Sequence, residues 1–123
     1  MKTVLVVDDS AIIRKAIRRI LEPLGFGVIE AESGVDALSR FESGLDVQAV
    51  LLDIEMPEMD GISFLRTLRS RHELPQPPVV ICTTHNTFDK ITEAIQAGAN
   101  EYIMKPFTGD IVEEKLAGVG VAA

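Results

Sequence analysis

Thr3-Val4-Leu5-Val6-Val7-Asp8-Asp9-Ser10 sets the pattern that the rest of the chain repeats. It is a continuous aliphatic run, then two carboxylates, then a residue suited to starting a helix. An apolar run without polar alternation is expected of a strand covered on both faces. Ser10 can cap the segment that follows, by accepting a hydrogen bond from a backbone N–H that the first helical turn leaves unpaired. That helix is expected to reach about Leu24. Ile12, Ile13, Ala16, Ile17, Ile20, Leu21 and Leu24 form one apolar stripe at helical spacing, with Arg14, Lys15, Arg18 and Arg19 on the other side.

Working outward, four more apolar runs appear: Val28–Ala31, Ala49–Leu52, Val79–Thr83 and Glu101–Met104. Helical patterns separate them. Ser33 can cap a second helix up to about Ser43, where Gly44 ends it. A third is expected from about Gly61 to Ser70, ahead of Leu74-Pro75-Gln76-Pro77-Pro78. Asn86 or Thr87 caps a fourth, which Gly98 stops, and Thr108 caps a short fifth. Five strand–helix units in one small domain predict an α/β fold: a doubly wound, five-stranded parallel sheet with helices on both faces and right-handed crossovers. Ligands of such folds bind beyond the carboxyl ends of the strands.

The 123 residues fit one domain, large enough to bury a core without disulfides. The formal net charge of −7 argues against a nucleic-acid partner, whose phosphates need a positive surface. No apolar run approaches the ~20 residues that span a bilayer, so no membrane insertion is expected. Cys82 is the single cysteine and lies inside an apolar run, which predicts core packing and a reducing, cytoplasmic setting. Residues 1–118 are expected to form the domain, without an output domain. The small, weakly patterned residues 119–123 are expected to be a frayed tail.

The strand ends carry the chemistry. Asp8 and Asp9 follow the first run, Asp53 the third, Thr83 and Thr84 the fourth, and Lys105-Pro106 the fifth. Each alone has a bland reading: an aspartate after a strand is commonly a turn residue or welcomes a helix N-terminus, and Lys-Pro is commonly a solvated turn. Their conjunction in one pocket is informative. Three carboxylates repel one another, and a divalent cation relieves this. Hard oxygen donors suit magnesium, with manganese an acceptable substitute. Lys105 adds a fixed positive charge, and the Thr83 hydroxyl can donate to a phosphoryl oxygen. These are the parts of in-line phosphoryl transfer to a carboxylate.

With Val4–Ser10, Leu51–Gly61, Val79–Thr83, Gly98–Tyr102 and Lys105–Phe107 in view, the sequence resembles the receiver domains of two-component response regulators over nearly its whole length. The section from Lys105 to Leu116 is most similar to the stand-alone, CheY-like, chemotaxis-type members. The resemblance implies strand order 2-1-3-4-5 and a set of roles. Asp53 is the phosphoacceptor. Asp9 and Asp53 bind magnesium directly, with the backbone carbonyl of Glu55, while Asp8 acts through water. Thr83 moves to hydrogen-bond the phosphoryl group and Lys105 pairs with it. Lys105-Pro106 is a cis peptide. Tyr102 is an aromatic switch on an output surface made by the fourth helix, fifth strand and fifth helix, and Pro57 and Gly61 shape the loop after Asp53. It also implies a sensor histidine kinase as phosphodonor, a monomer, and a protein output partner, with the flagellar motor switch a candidate.

Thr84 departs from the pattern, since many relatives carry Ala or Gly there. It bears, with Glu55 and His85, on how fast the phosphoryl group is gained and lost. The basic residues of the first helix are read equally as a solvated face and as a kinase-docking face. Alternatives are a phosphate-sink receiver, a receiver-like module that ignores phosphate, and a small aspartate-nucleophile phosphatase. The last is disfavoured because such nucleophiles follow the first strand.

Overall fold

Every predicted apolar run forms a strand. In the computed structural model, which describes residues 1–56, 59–84 and 88–123, the strands are β1 (Thr3–Val7), β2 (Gly27–Ala31), β3 (Ala49–Asp53), β4 (Val79–Thr83) and β5 (Glu101–Met104). Between them run α1 (Ala11–Leu21), α2 (Gly34–Glu42), α3 (Gly61–Ser70) and α4 (Phe88–Gln96), and α5 (Gly109–Gly118) closes the series. All strand pairs are parallel and the order is β2-β1-β3-β4-β5. Val4 lies beside Val28 on one side and Ala49 on the other, and Ile81 pairs with both Leu52 and Tyr102.

The continuous apolar character of β1 has a direct cause. Leu5 and Val7 enter a core with Phe41, Phe64, Leu65 and Leu68, beneath α2 and α3. Val4 and Val6 enter a second core with Ile17, Leu21, Val112 and Leu116, beneath α1 and α5. Burying each such side chain stabilises by about 1.5–3 kcal/mol. Neither face is dispensable in a domain whose net stability is typically ~5–15 kcal/mol.

Three expectations are corrected. The α1 pattern ends in a tighter 3-10 turn over Glu22–Leu24, because Pro23 cannot donate to the helical ladder, and Gly25 (φ +97°) ends the segment. The apolar stripe of α1 is only partly covered: Ile17 and Leu21 are buried, but Ile12 is 80% exposed, and Ile13 and Ala16 also face outward. Ile13 and Ala16 line an open groove facing Pro106 and Phe107 instead of packing into the core. Finally, the first part of the expected tail, 119–121, is tied to α5. Gly120 (φ +88°) turns the chain so that its N–H donates to the Ala117 carbonyl (3.0 Å) and the Val121 N–H to Leu116 (2.8 Å). This Schellman turn returns Val121, 5% exposed, to the second core.

Thr108 takes the extended cap conformation of α5 but makes no side-chain cap hydrogen bond. Ser10 and Ser33 accept from Ile13 and Asp36 as expected. The expectations placed on Pro57, His85, Asn86 and Thr87 lie outside the described residues. Among the described residues, no helix is long and apolar enough to cross a membrane.

Candidate functional site

Asp8, at the end of β1, is 2% exposed, and each of its polar groups is engaged. Its N–H donates to the Ala31 carbonyl (3.1 Å). Its Oδ1 accepts from the Ser10 N–H (2.9 Å) and its Oδ2 from Lys105 Nζ (2.7 Å). Its backbone carbonyl accepts from Arg14 Nη1 (2.6 Å). Asp9, the next residue, is exposed at the mouth of the site.

Asp53 ends β3 with its carboxylate partly buried, 3.6 Å from Lys105 Nζ at the nearest oxygen. It also accepts from the backbone N–H of Glu55. Beyond it, the Gly61 N–H donates to the Ile54 carbonyl (2.8 Å). A Cβ at Gly61 would collide with the Asp53 carbonyl oxygen and lie 2.9 Å from Ile54 Cα, so only glycine fits this approach. Asp60 then caps α3 by accepting from the Ser63 N–H (2.8 Å).

Across the sheet, Thr83 is 1% exposed at the end of β4, beside Met104 of β5, while Thr84 is exposed. The Lys105 N–H donates to the Thr83 carbonyl (2.9 Å), joining the two strand ends. Lys105-Pro106 is cis. Tyr102 emerges on the outer side of β5, with Lys115 Nζ 5.3 Å from its ring centre. Lys115 also pairs with Glu101 (3.4 Å). The Tyr102 ring is thus held under a cation on an exposed surface.

Charge dominates the site. Burial pushes the Asp53 carboxyl up from 3.8 to about 6; Lys105 and the Glu55 N–H oppose this, while Asp8 and Asp9 reinforce it. For Lys105, burial works against the ammonium. The hydrogen bond to Asp8 and the charges of Asp53 and Asp8 more than offset it, leaving its pKa above the ordinary value. Oxygen atoms of Asp8, Asp9 and Asp53 all lie within 4.8 Å of one another. Such a cluster of hard oxygen donors, with the ionised form of one carboxylate disfavoured by burial and by its acidic neighbours, fits magnesium. Cys82, by contrast, is buried beneath the site with its thiol pushed up to about 12, as a packing residue would be.

The description "response regulator receiver domain" matches residues 4–117. The chain belongs to the receiver domain family of response regulators. It is 38% identical to the chemotaxis protein CheY1 of Helicobacter pylori over 113 residues, 91% of each chain. It is also 38% identical to the CheY homolog of Campylobacter jejuni over 116 residues, covering 94% of this chain and 89% of that protein. The solved structure of Vibrio cholerae chemotaxis protein CheY4 superposes with a TM-score of 0.88 at 29% identity, covering 97% of this chain and 98% of that one. Receiver domains are signalling switches that take up a phosphoryl group on an aspartate, typically with magnesium. This receiver has the CheY-like fold, with chemotaxis proteins among its relatives.

The structure brings Asp8, Asp9, Asp53 and Lys105 together, with Thr83 and Thr84 at the neighbouring strand end and Tyr102 apart on the outer surface. It divides the basic residues of α1. Arg14 Nε and Arg18 Nε both donate to Glu30 of β2 (3.0 and 2.9 Å), whereas Lys15 and Arg19 are exposed. Burial pushes Glu30 up, but the hydrogen bonds from Arg18 and Arg14 outweigh it and hold it below the usual carboxylate range. Sequence reasoning missed the contact of Arg14 with Asp8. Its one signal was Glu30 itself, an acid inside an otherwise apolar run. Beside α1, an apolar groove of about 380 Å³ runs between Ile13, Ala16, Ile17 and Ile20 on one side and Pro106 and Phe107 on the other, ending at Thr84 and Lys105.

Proposed function

We propose that this receiver is phosphorylated on Asp53 by a sensor histidine kinase and signals by a conformational change read by a protein partner. The observation that carries this reading is the placement of Asp53. It is a partly buried carboxylate with a raised pKa, beside Asp8, Asp9 and Lys105, at the carboxyl edge of a doubly wound sheet. An Asp53 oxygen attacks the phosphorus of a kinase phosphohistidine, the P–N bond breaks, and the imidazole departs with the electron pair. Asp9 and Asp53, with the Glu55 carbonyl and Asp8 through water, would hold magnesium, which neutralises the carboxylates and stabilises charge on the phosphoryl oxygens. Lys105 supplies the second positive charge.

The buried Thr83 hydroxyl turns to the new phosphoryl group. β5 lies against β4, so the change reaches Tyr102, whose ring leaves or enters the surface it shares with Lys115. Glu55, which follows Asp53 closely in the chain, and Thr84, beyond the end of β4, are both exposed and set the access of attacking water. The CheY relatives support a chemotaxis-type output, with a motor-switch protein as the candidate reader. The kinase docks on α1. The groove beside Ile13 leads to Lys105, and Lys15 and Arg19 are free of the Glu30 pairing that occupies Arg14 and Arg18. Radiolabelled transfer from an autophosphorylated histidine kinase tests the reading: label is expected on wild type and lost in Asp53→Asn. Equal labelling of that variant would reject Asp53 as the acceptor.

A further inference from the structure

We infer that Arg14 is a positioning residue for the metal site, held in place by Glu30. This rests on the proposed magnesium role of Asp9. The Asp8 carbonyl oxygen and the Asp9 nitrogen belong to one planar peptide unit, so fixing that oxygen fixes the orientation of the Asp9 N–Cα bond and leaves only φ and the side-chain torsions to place the Asp9 carboxylate. Arg14 Nη1 donates to that oxygen at 2.6 Å. No other contact described at Asp8 reaches it. The Ala31 carbonyl takes the Asp8 N–H, while Ser10 and Lys105 hold the two carboxylate oxygens.

Arg14 reaches this place because Glu30 orients it. Glu30 Oε1 accepts from Arg14 Nε at 3.0 Å while Oε2 accepts from Arg18 Nε at 2.9 Å. One carboxylate therefore fixes two guanidinium groups on successive turns of α1. The Arg14 side chain is only 14% exposed and that of Glu30 20%, so solvent competes weakly for these bonds. The arrangement also closes through β2. Glu30 directs Arg14 to the Asp8 carbonyl, and its chain neighbour Ala31 receives the Asp8 N–H. Edge strand β2 thus clamps both sides of the residue that precedes Asp9. A rigid planar fork with several donors suits this double task, and a lysine at position 14 would satisfy only one of the two contacts.

The test is calorimetric titration of the purified protein with magnesium. The 13C carbonyl shift of Asp8 is followed in parallel, and urea unfolding verifies that each variant is folded. Arg14→Met keeps the aliphatic stem and removes both contacts. It is expected to bind magnesium about 10-fold more weakly, as loss of a group orienting a metal ligand typically does, with the Asp8 carbonyl shift moved. Arg14→Lys, which can keep only one of the two contacts, is expected to recover part of that loss. Glu30→Gln, which leaves Arg14 in place but weakens its anchor, is expected to lower affinity about 3-fold, below the usual range because the donor remains. It decides the matter if Arg14→Met does not fold. Wild-type magnesium affinity in folded Arg14→Met, or in Glu30→Gln where Arg14→Met is unfolded, would overturn the inference even if stability fell. A wild-type protein that binds no magnesium would instead overturn the reading on which it rests.

Discussion

Lys105 Nζ stands 2.7 Å from Asp8 Oδ2 but 3.6 Å from Asp53 Oδ1, so the ammonium is hydrogen-bonded to Asp8 rather than to the proposed acceptor. Asp53 therefore keeps a carboxylate oxygen that no ammonium hydrogen bond occupies. Lys105 stays close enough to act on charge developing at Asp53.

Removing Lys105 strands a carboxylate. Asp8 is 2% exposed, and breaking one side of a buried pair typically costs about 3–5 kcal/mol. Lys105→Met is expected to lose stability on this order in metal-free urea unfolding. Added magnesium should restore part of it by replacing the missing positive charge.

The pH dependence follows from Asp53, whose folded-state pKa of about 6 lies above its ordinary 3.8. The sign is that of a raised acid. Its contribution to metal-free stability is fully present below pH 4 and is lost as pH rises through 6. Without magnesium, Asp53→Asn should be more stable than wild type at pH 7.5, and the gap should close toward pH 4. Magnesium competes with the proton, so its affinity should fall as pH drops through about 6. A pH-independent difference between the two proteins in urea unfolding would contradict this.

Gly61→Ala pushes a methyl group into the Asp53 carbonyl oxygen and against Ile54 Cα. Both are backbone and cannot swing aside. A loss of about 1–3 kcal/mol is expected from overpacking, together with weaker magnesium binding because the Asp53–Glu55 backbone shifts. Calorimetry and chemical denaturation measure the two effects separately.

Charge reversal on α1 separates its two kinds of arginine and lysine. Lys15→Glu with Arg19→Glu should slow transfer from a kinase, most strongly at low salt, and leave phosphorylation by a small acyl phosphate unchanged. Equal slowing with both donors would argue against docking on this face. Reversing Arg14 and Arg18 should instead destabilise the fold through repulsion of Glu30.

The strands were legible because each is buried on both faces and so needs an unbroken apolar run. Val4 and Val6 serve one core, and Leu5 and Val7 the other. The acidic cluster was legible because topology alone carries Asp8, Asp9 and Asp53 to one edge. Less was legible where long-range packing decides. Periodicity grouped Ile12 with Ile17, but only the position of α1 over the sheet determines that Ile12 is exposed. The basic face of α1 looked uniform until β2 placed Glu30 between Arg14 and Arg18. Nor does local composition reveal that Val121 folds back onto the core, since that depends on the turn at Gly120 closing over α5.

The central claim is that Asp53 accepts a phosphoryl group in a metal-dependent site. Incubation with a small acyl phosphate, followed by intact mass spectrometry, tests it most directly. The account predicts one phosphoryl adduct with magnesium, none with chelator, and none in Asp53→Asn. Absence of an adduct with magnesium, or an adduct on Asp53→Asn at the wild-type level, would contradict it.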